Sequence, residues 1–338
     1  MPRVAVLLPV HNAEPTLDRA LDSLYRQTFR DFTVLAVDDG STDATSEILA
    51  RRAEREPERI RVLTQPHRGI VSALEAARHH ADAPLLARMD ADDLSHPDRF
   101  REQLAYLGAQ RGVAAVGCRV RLFPESALGA GWRRYRRWLN GLLTPEDHAR
   151  EIFVESPLAH PSVMMRSDAV AAAGGYREVP WAEDYDLWLR LDRAGHGLAK
   201  VPRTLFAWRQ TPSRLSLTSP RYSRGAFLAA RAHHLARHRF LAGRRAALWG
   251  TGRTGRRLGR RLREFGVEIV GFYDVDRRKV GRRILDVPVR SWLELEPSGR
   301  TPLVVAVGAA GARELIRPEA ERLGYREGVD LLFAACAR

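Results

Sequence analysis

Four strand-like runs, each closed by a polar cluster, govern what residues 4–93 can fold into. Val4-Ala5-Val6-Leu7-Leu8-Pro9-Val10 is continuously apolar and carries β-branched residues; Phe32 to Val37, Ile60 to Thr64 and Leu85 to Met89 follow it. The continuous rather than alternating apolar character of the first marks a strand buried on both faces, as in a parallel sheet. Between the runs, Thr16 to Arg26, Ala44 to Glu54 and Ile70 to Ala81 have helical spacing. Leu17, Ala20, Leu21 and Leu24 fall on one face of the first, and Asp43 is placed to cap the second. Such alternation predicts a doubly wound, mostly parallel α/β sheet that takes ligands at the carboxyl ends of its strands.

Those ends carry Pro9, His11 and Asn12; then Asp38 and Asp39; then Gln65, His67, Arg68 and Gly69; then Asp90, Asp92 and Asp93. Any one cluster reads equally as a solvated turn. Converging on one sheet edge, they read as a nucleotide site: a carboxylate for a base N–H, arginine for phosphate, and an acidic turn for a metal. In Arg88-Met89-Asp90-Ala91-Asp92-Asp93 three carboxylates fall within four positions. Charges so crowded raise one another's pKa unless a cation sits among them. Mg²⁺ or Mn²⁺, hard ions that take carboxylate oxygens and bridge phosphates, suit that role.

Composition narrows the partners. The formal net charge is +14, nearly all from arginine, since only Lys200 and Lys279 are lysines. So one-sided a bias reads partly as compositional drift, but it still favours an acidic partner such as nucleotide phosphate or anionic lipid. No zinc spacing and no RNP-like aromatic signature points to nucleic acid. Cys118 and Cys336, the two cysteines, give neither a disulfide framework nor a metal finger. No apolar run is long enough to span a bilayer, and Met1-Pro2-Arg3-Val4 leads straight into a strand-like run without signal-peptide architecture. The expected location is cytoplasmic, with peripheral attachment at the inner face of the membrane as an option.

Leu8-Pro9-Val10-His11-Asn12, Gln27-Thr28-Phe29, Val37-Asp38-Asp39-Gly40-Ser41-Thr42-Asp43 and Met89-Asp90-Ala91-Asp92-Asp93 resemble the serial motifs of family 2 inverting glycosyltransferases of the GT-A fold. Further on, His160-Pro161-Ser162-Val163-Met164-Met165-Arg166, Gly174-Gly175-Tyr176 and Glu183-Asp184-Tyr185-Asp186-Leu187-Trp188-Leu189-Arg190 resemble that family's acceptor-side motifs. The likeness covers roughly residues 3–216. It implies that Asp39 recognises the nucleobase of a nucleotide-diphosphate sugar, a UDP-sugar by default, with Pro9 and His11 lining the pocket and Arg68 on the nucleotide. Asp90 and Asp92 match the family's D-x-D. One reaches the ribose or metal-bound water, and Asp92 or Asp93 holds Mn²⁺ or Mg²⁺. Asp184 matches the catalytic base. Relatives often have an aromatic where His11 stands, which weakens the carry-over of base stacking. The implied acceptor is a hydroxyl of a glycan or lipid-linked molecule in cell-surface polysaccharide or glycoconjugate synthesis.

The chemistry agrees. Sugar transfer needs its leaving diphosphate stabilised, and a carboxylate within reach of the acceptor hydroxyl as base. Asp184 precedes the helix-like Tyr185 to Ala194, where a helix start stabilises its ionised form; plain helix capping is the bland alternative. His160 before a proline reads evenly as active-site lining or as a structural hydrogen-bonder. Arg209 and Arg214 read either as diphosphate partners or as a surface loop. In Gly131 to Leu142 the residues Trp132, Tyr135, Trp138, Leu139 and Leu142 share a helical face flanked by arginines. That pattern suits an anionic membrane surface, but packing on the catalytic domain explains it more simply. His234 and His238 have metal-ligand spacing in an arginine-rich connector helix with no acidic partner nearby.

A second alternation begins near Arg244. Ala246 to Trp249 reads as a strand; Gly250-Thr251-Gly252-Arg253-Thr254-Gly255 then opens a helix to Phe265; Val267 to Tyr273 is a strand ending at Asp274. G-x-G-x-x-G in that setting, with an acid 19 residues after Gly255, is a dinucleotide-type fingerprint. It would take a nucleotide or NAD(P) through Gly250, Gly252, Gly255 and Asp274. The expected organisation is a catalytic domain over 1–220, a connector helix over 221–243, and a small Rossmann-like domain over 244–338. Two rival readings are a non-catalytic sugar-nucleotide sensor and an oxidoreductase working through the Gly-rich domain. The intact acidic residues oppose the first. The second lacks a hydride-transfer partner.

Overall fold

Strand β1 (Val4–Val10) lies at the middle of the parallel part of a sheet, bonded to β2 (Phe32–Asp39) on one side and β4 (Leu85–Arg88) on the other. Its residues Val4, Val6, Leu7 and Leu8 are fully buried, as a strand covered on both faces must be. A computed structural model describes residues 2–296 and 301–335, so Cys336 lies outside the described residues. The chain resolves into two compact units: Met1–His148, Pro157–Val179 and Asp186–Arg214 form the first; Ala149–Ser156, Pro180–Tyr185 and Leu215–Arg338 form the second.

In the first unit, α1 (Leu17–Tyr25), α2 (Thr45–Arg55) and α3 (Ile70–His79) alternate with β1, β2, β3 (Ile60–Gln65) and β4. Strand β5 (Leu94–Ser95), α4 (Arg99–Ala109), β6 (Val113–Phe123), α5 (Ala130–Gly141) and α6 (Pro145–Glu151) follow, then β7 (Met164–Arg166), α7 (Ser167–Ala172), α8 (Glu183–Arg193) and β8 (Gly197–Arg209); the end of α6 from Ala149 and the start of α8 through Tyr185 fall to the second unit. The sheet order is β3-β2-β1-β4-β7-β6-β8-β5. The first four strands are mutually parallel; β7 runs antiparallel to β4 and β6, β8 parallel to β6, and β5 antiparallel to β8. This is the expected mostly parallel α/β sheet, extended by a mixed half. Asp43 does not stand at the N-cap of α2, which is Ala44, but its Oδ1 accepts from Thr45 N at 3.0 Å.

The aromatic face of α5 is committed inward. Trp132, Tyr135 and Trp138 pack against the core and Leu139 is buried in it, leaving Arg133, Arg134 and Arg137 exposed. Among the described residues no helix is long and apolar enough to cross a membrane.

The second unit adds α9 (Leu215–Thr218), α10 (Arg224–Leu235), β9 (Arg245–Trp249), α11 (Arg253–Glu264), β10 (Glu268–Asp274), β11 (Arg283–Ile284), β12 (Val287–Ser291), β13 (Leu303–Val305), α12 (Ala312–Arg322) and β14 (Leu331–Phe333). Its sheet order is β11-β12-β10-β9-β13-β14, with all pairs parallel except β11–β12. Counting the parallel strands alone in chain order gives 3-2-1-4-5, the order of doubly wound dinucleotide-type sheets. Where a free connector helix is expected, α10 belongs to this unit. Phe227 stacks on Tyr185 at 5.3 Å, Trp181 lies 5.1 Å from His233, and Tyr222 Oη donates to Glu183 Oε2 at 2.7 Å. Buried His234 and His238 sit in that packing; the His238 ring accepts from Phe240 N and lies edge-on to Phe153.

Candidate active site

The acidic turn follows directly from β4. One ligand oxygen from each of Asp90, Asp92 and Asp93 lies within 4.8 Å of the others. Asp93 is fully buried, with Oδ1 accepting from Arg209 N at 2.6 Å and Oδ2 left without a hydrogen-bond partner. Burial and the charges of Asp90 and Asp92 hold the Asp93 carboxyl well above the ordinary range. Asp92 is pushed up to about 6 by burial and by Asp90, against the pull of Arg214 and Arg209. Such a group of oxygens, one of them buried and unsatisfied, fits a hard divalent cation in type, spacing and charge.

Two buried guanidiniums support the turn from behind. Arg88, only 1% exposed, donates to Met89 O and to Asp90 Oδ1 at 2.6 Å. Arg99 is fully buried, donates to Arg88 O at 2.7 Å, and lies 5.0 Å from the centroids of both Phe100 and Phe206. Burial lowers its pKa to about 10. Strand β5 carries the chain away from the turn onto β8, pairing Leu94 with Ala207, which brings Arg209 back to donate to Asp92 O at 2.7 Å. Arg209 therefore braces the turn, and its guanidinium also covers Phe123. Arg214 lies over Trp208.

Gln27 fixes the exit of the turn. Fully buried at the end of α1, its amide donates to Ser95 Oγ at 3.0 Å and His96 O at 2.7 Å while accepting from Phe100 N at 3.0 Å.

At the ends of β1, β2 and β3 a second cluster forms around Asp39. In register Asp39 faces Gln65, whose Nε2 donates to Oδ1 at 2.6 Å. Arg68 N also donates to Oδ1, at 2.9 Å, and Gly69 N to Oδ2, at 2.8 Å; His67 Nδ1 lies 2.9 Å from Oδ2. Burial opposes ionisation here, but the bonds from Arg68 N, Gln65 and Gly69 N, with the nearby His67, hold the carboxyl below its ordinary range. Asp39 thus ties down the loop that enters α3. Gly40 allows the approach: its φ is +70° and a Cβ would meet His67 N at 2.6 Å. His11 and His67 stack at 4.1 Å, and His11 Nδ1 lies 2.9 Å from Asp39 O. Pro9 is half-buried beside them, and the Arg68 side chain is exposed.

The acceptor-side motifs are joined to each other. Arg190 pairs with Asp186 at 2.7 Å, both buried, and donates to Ala173 O and Gly175 O. Gly175, at φ +61°, leaves room for Glu75, which accepts from Tyr176 N at 2.6 Å. His160 is buried, its Nε2 2.8 Å from Tyr176 Oη and its ring edge-on to Trp188. Burial, then Arg88, hold its pKa well down. It serves the packing of these motifs.

Asp184 lies in the second unit, where α8 starts. It is half-buried, and its Oδ1 accepts from Tyr185 N at 2.7 Å. Beside it, Tyr222 is held strongly in its phenol form by burial and by Glu183 and Asp184.

The Gly-rich turn enters α11 as the spacing predicts. A Cβ on Gly255 would meet Gly250 O at 1.9 Å, and one on Gly250 would meet Val307 at 2.8 Å, whereas Gly252 opens onto free space. Asp274 is buried and already occupied: Thr251 N (3.1 Å), the Thr251 hydroxyl and Lys279 Nζ (3.2 Å) bond Oδ2, and Asp276 N (2.9 Å) bonds Oδ1.

Reading the sequence for motifs missed Arg88, Arg99 and Gln27 as parts of the site's frame. Buried arginines look like any others in an arginine-rich chain, and only the quoted Gln27-Thr28-Phe29 motif held a signal. Gln65 and His67 were read in the polar cluster that closes β3; that they bond the Asp39 carboxylate emerges only from the pairing of β3 with β2.

Comparison with known proteins agrees with this architecture. The family described as Glycosyl transferase family 2 matches residues 5–172. The amylovoran biosynthesis glycosyltransferase AmsE of Erwinia amylovora is 30% identical over 203 residues, covering 60% of this chain and 74% of its own length. Two solved structures share the fold. One is the mannosyltransferase PcManGT of Pyrobaculum calidifontis in complex with GDP-Man and Mn²⁺, with TM-score 0.51, 23% identity and coverage of 72% of this chain and 64%, less than two thirds, of that one. The other is S. aureus TarS 1–349 in complex with UDP-GlcNAc, with TM-score 0.56, 16% identity and coverage of 78% and 71%. A strand that ends in three clustered aspartates, a family match over residues 5–172 and a 30%-identical glycosyltransferase relative matched over 74% of its length together make this chain a member of the family 2 glycosyltransferases.

Proposed function

We propose that the protein transfers a sugar, with inversion and in a metal-dependent manner, from a nucleotide-diphosphate sugar to a hydroxyl of a glycan or lipid-linked acceptor. The single observation that carries this reading is the gathering of Asp90, Asp92 and Asp93 within 4.8 Å, with a buried unpartnered oxygen on Asp93. Asp92 and Asp93 would hold Mn²⁺ or Mg²⁺, and Asp90 the ribose or a water. When bound, the ion supplies Lewis-acid neutralisation of the departing diphosphate. Pro9, His11, Asp39 and Arg68 bind the nucleotide; with its four donors in place, Asp39 would exchange one of them for a base N–H. A uracil N–H suits it, which favours a UDP-sugar. The structural relatives named above carry GDP-Man and UDP-GlcNAc, so both bases belong in the test.

The bond changes are those of a single displacement. Asp184 takes the proton of the acceptor hydroxyl as that oxygen attacks the anomeric carbon; the bond from that carbon to the diphosphate oxygen breaks, and configuration inverts. Ionised Asp184 is favoured by its position at the start of α8. Family membership and the AmsE relative support a polysaccharide acceptor. Exposed Arg133, Arg134 and Arg137 would support contact with an anionic membrane, while the α5 aromatics are already packed away.

Turnover measured on a panel of UDP-, GDP- and dTDP-sugars with Mn²⁺ tests the reading. One donor class is expected to be used. The loss should be on the order of 10²–10⁴-fold in Asp184→Asn, as for removal of a general base, and at least as large in Asp92→Ala/Asp93→Ala. Full activity in the double variant overturns the metal assignment, and full activity in Asp184→Asn overturns the base.

A further inference from the structure

Within the second unit, α10 and the first turns of α11 border a half-open cavity of about 210 Å³. Four of its eight wall residues are arginines, Arg224, Arg231, Arg253 and Arg257, and none is a carboxylate; Thr254 and Gly308 also line it. Four like charges around one space repel unless an anion is shared among them. Arg224, Arg253 and Arg257 make no ion pair or side-chain hydrogen bond among the described residues. Arg231 is 6% exposed, and its Nε has no hydrogen-bond partner. Its one ionic neighbour is Glu155, with Nη2 3.8 Å from Oε2, beyond hydrogen-bond reach. A buried guanidinium left so poorly satisfied is costly, and an anion in the cavity would repair it.

The helix start points the same way. No side chain caps α11 at Gly252, and a Cβ there would meet nothing within 4 Å, so space stays open over amides at the positive end of the helix. The usual second half of a dinucleotide site is already used internally, however. Asp274 is already engaged by Thr251, Lys279 and Asp276, so a ribose hydroxyl would have to compete with donors in place. The cavity is also smaller than the roughly 300–1,000 Å³ of pockets for drug-sized ligands.

We propose that this cavity binds a diphosphate group, shared among Arg231, Arg253, Arg257 and the amides at the start of α11, and that it is a phosphate site rather than a dinucleotide site. Two sources offer that chemistry: inorganic pyrophosphate and the diphosphate of a nucleoside diphosphate.

Calorimetric titration of the full chain with pyrophosphate, in EDTA so that no cation bridges the anion to the aspartates, tests this. One-site binding is expected. It should weaken about tenfold in each of Arg231→Met and Arg253→Gln/Arg257→Gln, as for loss of a charge-assisted contact, and stay unchanged in Asp92→Asn/Asp93→Asn. The second arginine variant alters exposed side chains, so it remains informative should Arg231→Met misfold. UDP displacing pyrophosphate in EDTA would make a nucleoside diphosphate the source, and failure to displace it would make the inorganic ion the source. Absence of pyrophosphate binding overturns the proposal, as does binding that survives both sets of arginine changes. Tighter binding of NAD⁺ that is lost in Asp274→Asn overturns it in favour of a dinucleotide. None of these results depends on sugar transfer, which is read in the separate assay with Mn²⁺.

Discussion

Asp93 bears the greatest electrostatic cost of the acidic turn. It is buried, faces two other carboxylates, and has one oxygen without a donor. Asp93→Asn keeps the acceptor for Arg209 N and removes a carboxyl whose ionisation is opposed by burial and by Asp90 and Asp92. In EDTA the variant should unfold at higher urea, by about 1–2 kcal/mol, given what relief of buried like charge yields. In return, any rise in melting temperature that Mn²⁺ gives the wild type should shrink or vanish. Greater stability with an undiminished Mn²⁺ response would remove Asp93 from the metal set. Crowded aspartates at a strand end were visible in the sequence, because charge spacing is local information. The arginine support was not: Arg88 and Arg99 matter through burial, which depends on β6, β7 and β8 packing over them.

Elements hold the turn in place through a few buried polar side chains. Gln27, just past the end of α1, satisfies Ser95, His96 and Phe100 at once, so Gln27→Leu should cost about 2–4 kcal/mol in urea unfolding, from one lost buried network and the partners it orphans. Because the turn's exit loosens, donor KM should rise as well; unchanged stability would show the contacts to be incidental. Gly175 is a second such point. At φ +61°, with a Cβ only 2.5 Å from Glu75 Oε1, Gly175→Ala should destabilise by about 1–3 kcal/mol, measurable by the same unfolding curve. The parallel strands and their helices were legible because β1 is apolar throughout, β2 and β4 nearly so, and polar clusters close all four at even spacing. Strand β6 was not: Val113–Phe123 contains Gly117, Arg119 and Arg121, and its partners β7 and β8 come about 50 or more residues later in the chain. Strand pairing at that range leaves no local trace.

For the molecule as a whole, one buried lysine sets a pH signature. Lys200 is 1% exposed, donates to Leu139 O and Pro157 O, and has its pKa pushed down to about 7, chiefly by burial. The unfolded chain keeps that lysine protonated up to its ordinary value of about 10.4, so between the two values the unfolded state binds more protons and stability rises with pH. Relative to Lys200→Met, the wild type should gain up to about 2 kcal/mol between pH 7 and pH 9, read from urea midpoints at each pH; parallel pH profiles would mean the lysine is not buried as described. Division into two units was partly legible too, since the second strand–helix alternation announces itself at Arg244. The return of Ala149–Ser156 and Pro180–Tyr185 to the second unit was not, because only tertiary packing assigns them. That interleaving makes the protein a poor candidate for modular exchange. A fragment ending at Arg214 would keep every residue of the acidic turn, yet strip Tyr222 from Glu183 and Phe227 from Tyr185, on either side of Asp184. Recombination that swaps the C-terminal half between relatives would therefore alter the neighbourhood of the proposed base, so the two halves should be inherited, and engineered, as one piece.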